Sequence, residues 1–262
     1  MKRAEEKHER IISELDRRKM KRRKDADEFK VVEGVIDPPT LKILYKLLNR
    51  GTIRALHGAI STGKEANVYR GEDKDGKPVA VKIYRVSTAE TDYMLEYIVG
   101  DPRFKKVSRR SRSIIPQWAT KEFKNLRRYH EAGVLVPTPL DLERNVLVME
   151  FIGDEKNNLP APLLKHAAIG RPVSTFNRII DMIEKSYKEA KLVHADLSEY
   201  NILWTGKPVF IDVSQAVLIA HPRAQDYLYR DIQNIINYFR RLGVESEDPV
   251  VIARHIIDSG EK

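Results

Sequence analysis

Hydrophobic and polar positions repeat along this chain with two different periods, and each period predicts a different kind of element. Leucines at three- and four-residue spacing predict a helix that Thr40 caps and that ends near Gly51. Residues 174–191 repeat apolar positions in the same way and predict a long amphipathic helix. Residues 2–24 carry few apolar positions, so only a narrow helical stripe is expected there.

Short apolar runs typical of strands follow Ile53. Residues 67–70 and 79–84 flank an Asp-Gly pair that favours a tight turn, so an antiparallel hairpin is expected. A polar, poorly ordered connection is expected over 86–116 and a helix over 117–132. The remaining predicted strands are 145–152, 192–193, 202–204 and 209–211.

A polar run, 194–201, lies between two of these short strands. Asp196 and Asn201 are five residues apart in this run, and Asp212 lies at the end of the hairpin partner of 202–204. This order is expected to bring two carboxylates and one amide into a small volume. Phosphoryl transfer needs such a set, because a carboxylate orients the attacking hydroxyl and oxygen ligands hold the magnesium that bridges the phosphates.

Lys82 is the one cation in an otherwise apolar run, Val-Ala-Val-Lys-Ile, at 79–83. Burial of an unpaired charge is unfavourable. Lys82 is therefore expected to pair with an acidic residue or to contact a phosphate.

Composition narrows the classes of protein that fit. The 262 residues suffice for a two-lobed domain, and the hydrophobic fraction of 42% is ordinary for a globular protein. The chain has no cysteine, which excludes disulfides, cysteine metal sites and thiol nucleophiles. The N-terminus lacks the apolar core of a secretory signal, and no apolar run reaches the roughly 20 residues of a membrane-spanning helix. A cytoplasmic protein without membrane contact is expected.

Positive charge is concentrated in residues 103–128, which contain ten basic residues and one acidic residue. This excess equals the net charge of +9 of the whole chain. A basic stretch of this kind attracts polyanions such as nucleic acid. The alternative is a mobile loop whose charges are simply solvated, and the sequence leaves both interpretations open.

The order of the motifs resembles the signature of protein kinases. A loop with Gly63 is followed by Val-Ala-Val-Lys, a helix with a glutamate, Met-Glu-Phe-Ile, His-x-Asp-x-x-x-x-Asn and Ile-Asp. The runs His-Ala-Asp-Leu-Ser-Glu-Tyr-Asn at 194–201 and Ile-Asp-Val-Ser-Gln-Ala-Val at 211–217 are similar to the RIO family of atypical kinases. Ser-Thr-Gly-Lys-Glu-Ala-Asn-Val-Tyr at 61–69 is similar to the phosphate loop of its type 1 branch.

The resemblance covers about residues 50–240 and implies an α+β, two-lobed kinase-like fold. It implies an N-terminal helical extension over 1–50, a β-rich N-lobe over 51–150 and a mainly helical, shortened C-lobe over 151–262. The implied cofactors are ATP and Mg²⁺, or Mn²⁺ in its place.

The resemblance also implies roles for individual residues. Lys82 is expected to hold the α- and β-phosphates and to pair with Glu122 in the helix that follows. Asp196 is expected to be the catalytic carboxylate, with Asn201 and Asp212 as metal ligands.

Two further segments are expected to contact the nucleotide. Met149 would line the back of the pocket, while the Glu150 carbonyl and the Ile152 backbone would bind the adenine edge. The loop residues expected near the phosphates are Ser61, Thr62, Gly63 and Lys64.

The sequence departs from ordinary kinases at several positions. Ala195 replaces the arginine that reads a phosphorylated activation loop, and Asp212-Val213-Ser214 replaces Asp-Phe-Gly. No Ala-Pro-Glu follows at the usual distance. Control through an activation loop and a large peptide-docking surface are therefore not expected.

Residues 58–65 also suggest a different nucleotide site, the P-loop of NTPases. They match that motif except at Glu65, where a magnesium-binding Ser or Thr belongs. Residues 67–69 resemble a strand, whereas the motif requires a helix. The P-loop is therefore the weaker interpretation.

The resemblance to the RIO family implies one of two functions. One is an ATP-dependent Ser/Thr kinase acting in maturation of the small ribosomal subunit, with the basic stretch 103–128 on the pre-ribosomal particle or its RNA. Such an enzyme could also phosphorylate itself, at Ser108, Ser111 or Ser113. The other is a binding factor that ATP hydrolysis releases from that particle, through phosphorylation of Asp212.

Overall fold

The protein was analysed as a computed structural model that describes residues 36–85, 91–99, 101–104, 111–155 and 157–260. The helical stripe predicted for residues 2–24 lies outside the described residues. Within the described ranges, no helix is both long and apolar enough to cross a membrane.

An antiparallel five-stranded sheet dominates the first half of the described chain. The predicted hairpin is confirmed, with its turn at Gly76 (φ 81°). The first and fourth strands were missed because few of their side chains are buried, which leaves little apolar periodicity. The strands are β1 (Ala55–Thr62), β2 (Ala66–Glu72), β3 (Pro78–Tyr84), β4 (Pro139–Glu143) and β5 (Val146–Glu150), in the order β1-β2-β3-β5-β4.

Helix α1 (Pro38–Asn49) packs on one face of this sheet. Asp37 rather than Thr40 caps it, since the Asp37 carboxylate accepts the Thr40 N–H at 3.0 Å. Successive side chains of a strand point to opposite faces. Val81 and its neighbours on the α1 face are thus buried in one apolar cluster, while Lys82 faces the other side of the sheet.

Two helices, α2 (Thr91–Ile98) and α3 (Ser111–Glu131), connect β3 to β4. The prediction of a polar connection up to residue 116 is therefore wrong, and α3 begins six residues earlier than expected. The physical reason is burial, because α2 and the first turns of α3 carry apolar side chains that enter the core. These are Met94, Tyr97, Ile98, Ile114 and Ile115.

The second half of the chain is mainly helical, as expected for a C-lobe, and shares one large apolar core with α2 and α3. It also contains three short antiparallel strand pairs among its described residues. The helices are α4 (Pro172–Lys188), α5 (Ala224–Arg240) and α6 (Pro249–Gly260). The strand pairs are β6 (Gly153–Asp154) with β7 (Leu159–Pro160), β8 (Leu192–Val193) with β11 (Val217–Leu218), and β9 (Ile202–Trp204) with β10 (Pro208–Phe210).

Candidate active site

A cleft of about 600 Å³ lies between the sheet and the helical half. Thr62 stands exposed at the end of β1 and does not line it. The other predicted site residues all do: Ser61, Gly63, Lys64, Lys82, Glu122, Met149, Glu150, Ile152, Asp196, Asn201 and Asp212.

Lys82 lies at the centre of this cleft between two carboxylates. Its Nζ is 2.8 Å from Glu122 Oε2 and 2.9 Å from Asp212 Oδ1. The side chains of Lys82 and Glu122 are buried, whereas that of Asp212 is 49% exposed toward the cleft. The expected pairing of Lys82 with Glu122 is thus seen in the geometry, and Asp212 joins it.

The charges of Lys82, Glu122 and Asp212 shift one another's pKa values. Burial alone would lower the pKa of Lys82, but the carboxylates of Asp212 and Glu122 raise it, so the ammonium form is held. Burial raises the pKa of Glu122 to about 7, although Lys82 opposes that shift. Burial would also raise the pKa of Asp212. The charge of Lys82 and the hydrogen bond from it outweigh burial there, so the pKa of Asp212 is lowered.

Asp196 faces this group across the cleft. Asn201 Nδ2 donates to the Asp196 carbonyl at 2.7 Å and to its Oδ2 at 3.1 Å, and Gln215 Nε2 donates to the same Oδ2 at 3.2 Å. Burial and the nearby Asp212 carboxylate raise the pKa of Asp196, which makes it a better proton acceptor. Sequence reasoning missed Gln215, whose residue type carries no distinctive signal.

Helix α5 holds the loop that carries Asp196. Buried Asp231 accepts the N–H groups of Ala195 and Leu197, each at 2.8 Å. The Ala195 carbonyl accepts from Arg230, and the Ala195 backbone has a φ of 67°. Strained backbone of this kind persists only where surrounding contacts enforce it. Asp231 was also missed, because it lies 35 residues after Asp196 in an amphipathic helix.

His194 is a buried, hydrogen-bonded core residue. Its Nε2–H donates to the Ile211 carbonyl at 3.1 Å, and its ring packs edge-on against Phe210. Burial lowers the pKa of His194 to about 4, so the ring is neutral near pH 7.

The loop at 61–65 rules out the P-loop alternative. β2 begins at Ala66, so the loop joins two antiparallel strands, whereas a P-loop must lead into a helix. Glu65 Oε2 accepts a hydrogen bond from Trp118 of α3 at 3.3 Å.

Part of the basic stretch 103–128 is internal, which corrects its interpretation as one surface. Arg103 forms an ion pair with Asp101 at 2.6 Å, Lys121 is fully buried, and Arg128 donates to the Ala190 carbonyl. The exposed basic side chains described in this stretch are Lys124 and Arg127. Outside the described residues lie Lys105, Lys106, Ser108, Arg109 and Arg110 and the side chains of Ser111, Arg112 and Ser113.

The oxygen donors at the cleft fit magnesium. Asn201 uses its amide nitrogen toward Asp196, so its Oδ1 is the atom suited to a metal, and Asp212 supplies a carboxylate. Among the described side chains, no group of three or more His, Cys, Asp or Glu forms a metal site. Magnesium is ordinarily held by one or two protein oxygens together with substrate phosphates, which matches this sparse set.

Comparison with known proteins gives close matches. A family model described as the RIO domain matches residues 67–251. The RIO-type serine/threonine-protein kinase Rio1 of Haloferax volcanii is 41% identical over 92% of this chain and 82% of its own length. The serine/threonine-protein kinases RIO1 of Caenorhabditis elegans and Homo sapiens are 41% and 40% identical. This chain spans 49% and 42% of their lengths.

Solved structures of similar fold include a kinase with a bound nucleotide. It is the Rio2 kinase from Chaetomium thermophilum, described as an ADP/Mg²⁺-phosphoaspartate complex. It matches with a TM-score of 0.64 and 25% identity, over 84% of this chain and 66% of that chain. The match covers both the sheet and the helical half, which agrees with a two-lobed kinase-like fold.

Proposed function

Because the chain belongs to the RIO family of kinases, we propose that it transfers the γ-phosphoryl group of ATP to serine or threonine hydroxyls. The observation that carries this proposal is the position of Lys82, held between Glu122 and Asp212 in a cleft that Asp196 shares. A buried, fixed cation facing two acidic groups is the arrangement that phosphoryl transfer uses to bind and orient phosphates.

Lys82 is the phosphate-binding cation in this proposal. Glu122 keeps the ammonium in place, so that little reorganisation is needed when the α- and β-phosphates bind. The turn Gly63–Glu65 brings backbone close to the phosphates. A side chain at Gly63 would meet the Ala66 carbonyl at 3.1 Å, which favours glycine there.

Asp196 orients the acceptor hydroxyl and takes up its proton. Asn201 and Gln215 both bond Oδ2, which leaves Oδ1 as the oxygen to face the acceptor. Asn201 and Asp212 would hold magnesium, which neutralises charge on the phosphates when it is bound. Manganese, with a similar preference for oxygen ligands, is the alternative metal.

The adenine edge is proposed to lie against the segment 149–152, at the end of β5. The Ile152 carbonyl already accepts the Ala161 N–H at 2.9 Å. The Ile152 N–H and the Glu150 carbonyl are therefore the proposed partners of the base, with Met149 behind it.

Replacement of Asp196 tests the proposal. Asp196→Ala should lower phosphate transfer by at least about 10²-fold, the usual contribution of a positioned general base. ATP binding should change little, because Lys82 and Asp212 remain. Transfer rate and nucleotide affinity should be measured on the same preparation. Wild-type turnover in this variant would remove Asp196 from the proposed role.

A second function, a binding factor that ATP hydrolysis releases from its particle, is favoured by two observations. Asp212 exposes about half of its side chain to the cleft, and the similar Rio2 structure is described as a phosphoaspartate complex. Incubation with labelled ATP, followed by separate measurement of free phosphate, acid-stable phosphoprotein and acyl phosphate, distinguishes the two functions. Acyl phosphate that is absent from Asp212→Asn would favour the ATPase.

The proposed partner is the small-subunit pre-ribosomal particle or its RNA. Support comes from the basic residues 105–112 together with exposed Lys124 and Arg127, whereas Arg103 and Lys121 are excluded from this surface by their internal contacts. Ser108, Ser111 and Ser113 remain the proposed sites of self-phosphorylation.

A further inference from the structure

The segment 213–216, which directly follows Asp212, is held by side chains of α3. Val213, Ser214 and Ala216 are almost completely buried, so their backbone carbonyls need hydrogen-bond donors. The donors that the structure provides are Lys121 and Asn125.

Lys121 is a fully buried lysine, and among the residues that the structure describes no carboxylate lies within hydrogen-bonding distance of its ammonium. Its Nζ donates to the carbonyls of Ser214 at 2.8 Å and Ala216 at 2.6 Å. Its neighbour Glu122 points about 100° further round the helix and bonds Lys82. Of these two consecutive residues of α3, Lys121 bonds the segment that follows Asp212, and Glu122 bonds the lysine that Asp212 contacts.

Asn125 lies one helical turn after Lys121 and adds a second attachment. Its Nδ2 donates to the Val213 carbonyl at 2.7 Å and to the Ala216 carbonyl at 3.0 Å. Its Oδ1 accepts from Arg103 at 2.8 Å, and Arg103 is itself paired with Asp101. The side-chain amide is thus fixed in one orientation, with all its polar atoms engaged.

The same segment touches both carboxylates of the cleft. Ser214 Oγ donates to Asp212 Oδ1 at 3.1 Å, and Gln215 Nε2 donates to Asp196 Oδ2 at 3.2 Å. Asp212 itself has a φ of 55°, a backbone conformation that neighbouring contacts must maintain. A shift of this segment would move both carboxylates together.

We infer that Lys121 and Asn125 are positioning residues that fix Asp196 and Asp212 relative to each other through the segment 213–216. This inference rests on the proposed phosphotransfer function. It also assigns a role to the buried lysine and amide of α3, which the transfer step does not use directly. Helix α3, Lys82 and the segment then form one unit, so that the site is assembled without a phosphorylated activation loop.

The test uses the full chain with Lys121→Met and Asn125→Leu, which remove the donors at similar volume. Each should lower kcat by at least about tenfold, since small misplacements of reacting groups cost large factors in rate. The gain in ADP affinity on adding Mg²⁺ should also shrink, because Asp212 is displaced. Affinity for ADP without metal should stay within about twofold, because Lys82 and the segment 149–152 are untouched.

Two further variants make the result specific. Gln215→Met should lower kcat but keep the Mg²⁺-dependent gain, because Gln215 contacts Asp196 and not Asp212. Lys42→Met, the same change at an exposed lysine of α1, should match wild type in every measurement. Thermal unfolding identifies any variant that is unfolded at the assay temperature.

The outcomes separate this inference from the proposed function. Folded Lys121→Met and Asn125→Leu with wild-type kcat and Mg²⁺ response would overturn the inference. If Lys121→Met does not fold, Asn125→Leu decides the inference by the same criterion, because Asn125 donates to the same segment. Wild-type turnover in both Asp196→Ala and Asp212→Asn would instead overturn the proposed function.

Discussion

Asp196 and Asp212 share one cleft but have opposite electrostatic environments. Burial and the charge of Asp212 raise the pKa of Asp196. The Lys82 ammonium outweighs burial at Asp212 and lowers its pKa. One carboxylate is thus suited to accept a proton and the other to remain charged beside a metal. Chain position alone gives no indication of this division, since both residues follow short strands.

The burial of His194 leads to a prediction about how the stability of the protein depends on pH. Its pKa is lowered to about 4 by burial, whereas the unfolded chain has an ordinary histidine near 6.5. Between these values only the unfolded state takes up the proton, so this residue should reduce stability as the pH falls through that window. The difference corresponds to at most about 3 kcal/mol.

His194→Gln should remove this contribution, because glutamine does not titrate. Urea unfolding of wild type and His194→Gln at several pH values between about 4 and 6.5 measures this contribution. The difference between the two free energies of unfolding isolates His194 from other titrating groups. A difference in unfolding free energy that does not change with pH would contradict the lowered pKa of His194.

At the scale of elements, α3 connects more parts of the site than any motif suggests. Trp118 contacts Glu65 of the phosphate loop, Glu122 contacts Lys82, and Lys121 with Asn125 holds the segment after Asp212. Of these contacts the sequence predicted only that of Glu122, because the resemblance implies a partner for Glu122 and for none of the other three residues. Periodicity shows that a helix is buried but not which polar groups it meets.

The basic residues at 109–112 lead to a prediction about partner binding. Arg109, Arg110 and Arg112 are the proposed contacts to RNA phosphates, so their replacement with glutamine should weaken RNA binding at low salt. Each lost phosphate contact should reduce the slope of log affinity against log salt by about 0.7 to 0.9. Binding should be titrated at several salt concentrations, and Lys42→Gln, which removes one exposed positive charge outside the stretch, serves as the control for a loss of charge elsewhere on the protein. An unaltered slope would favour the solvated-loop interpretation.

At the scale of the whole molecule, the cleft joins two halves that each contribute part of the site. The sheet carries Lys82 and the helical half carries Asp196 and Asp212, so a ligand that contacts both should stabilise the folded chain. ADP with Mg²⁺ at about 100 times its dissociation constant should add about 2.7 kcal/mol.

Asp212→Asn should lose the magnesium-dependent part of this stabilisation and keep the part due to ADP alone. This magnesium-dependent part is measured by thermal unfolding with ADP, with Mg²⁺ and with both. Equal stabilisation of wild type and Asp212→Asn by the two together would remove Asp212 from the metal site.

The sequence by itself determined the order of motifs, and with it the two-lobed fold and most residues of the proposed site. Lys82, Asp196, Asn201 and Asp212 were identifiable because spacing along the chain fixes which strand or loop end each occupies. The hairpins β2–β3 and β9–β10 and the helices α1 and α4 followed from short-range periodicity, which reports the burial of neighbouring positions.

Only the tertiary structure decided how these residues are held. Asp231, Gln215, Lys121 and Asn125 act through bonds to loops 19 to 95 residues away, and such bonds leave no periodic signal. The burial of Arg103 and Lys121 within a basic stretch was hidden for the same reason. Net charge is a sum over residues, whereas exposure depends on which surfaces meet when the chain folds.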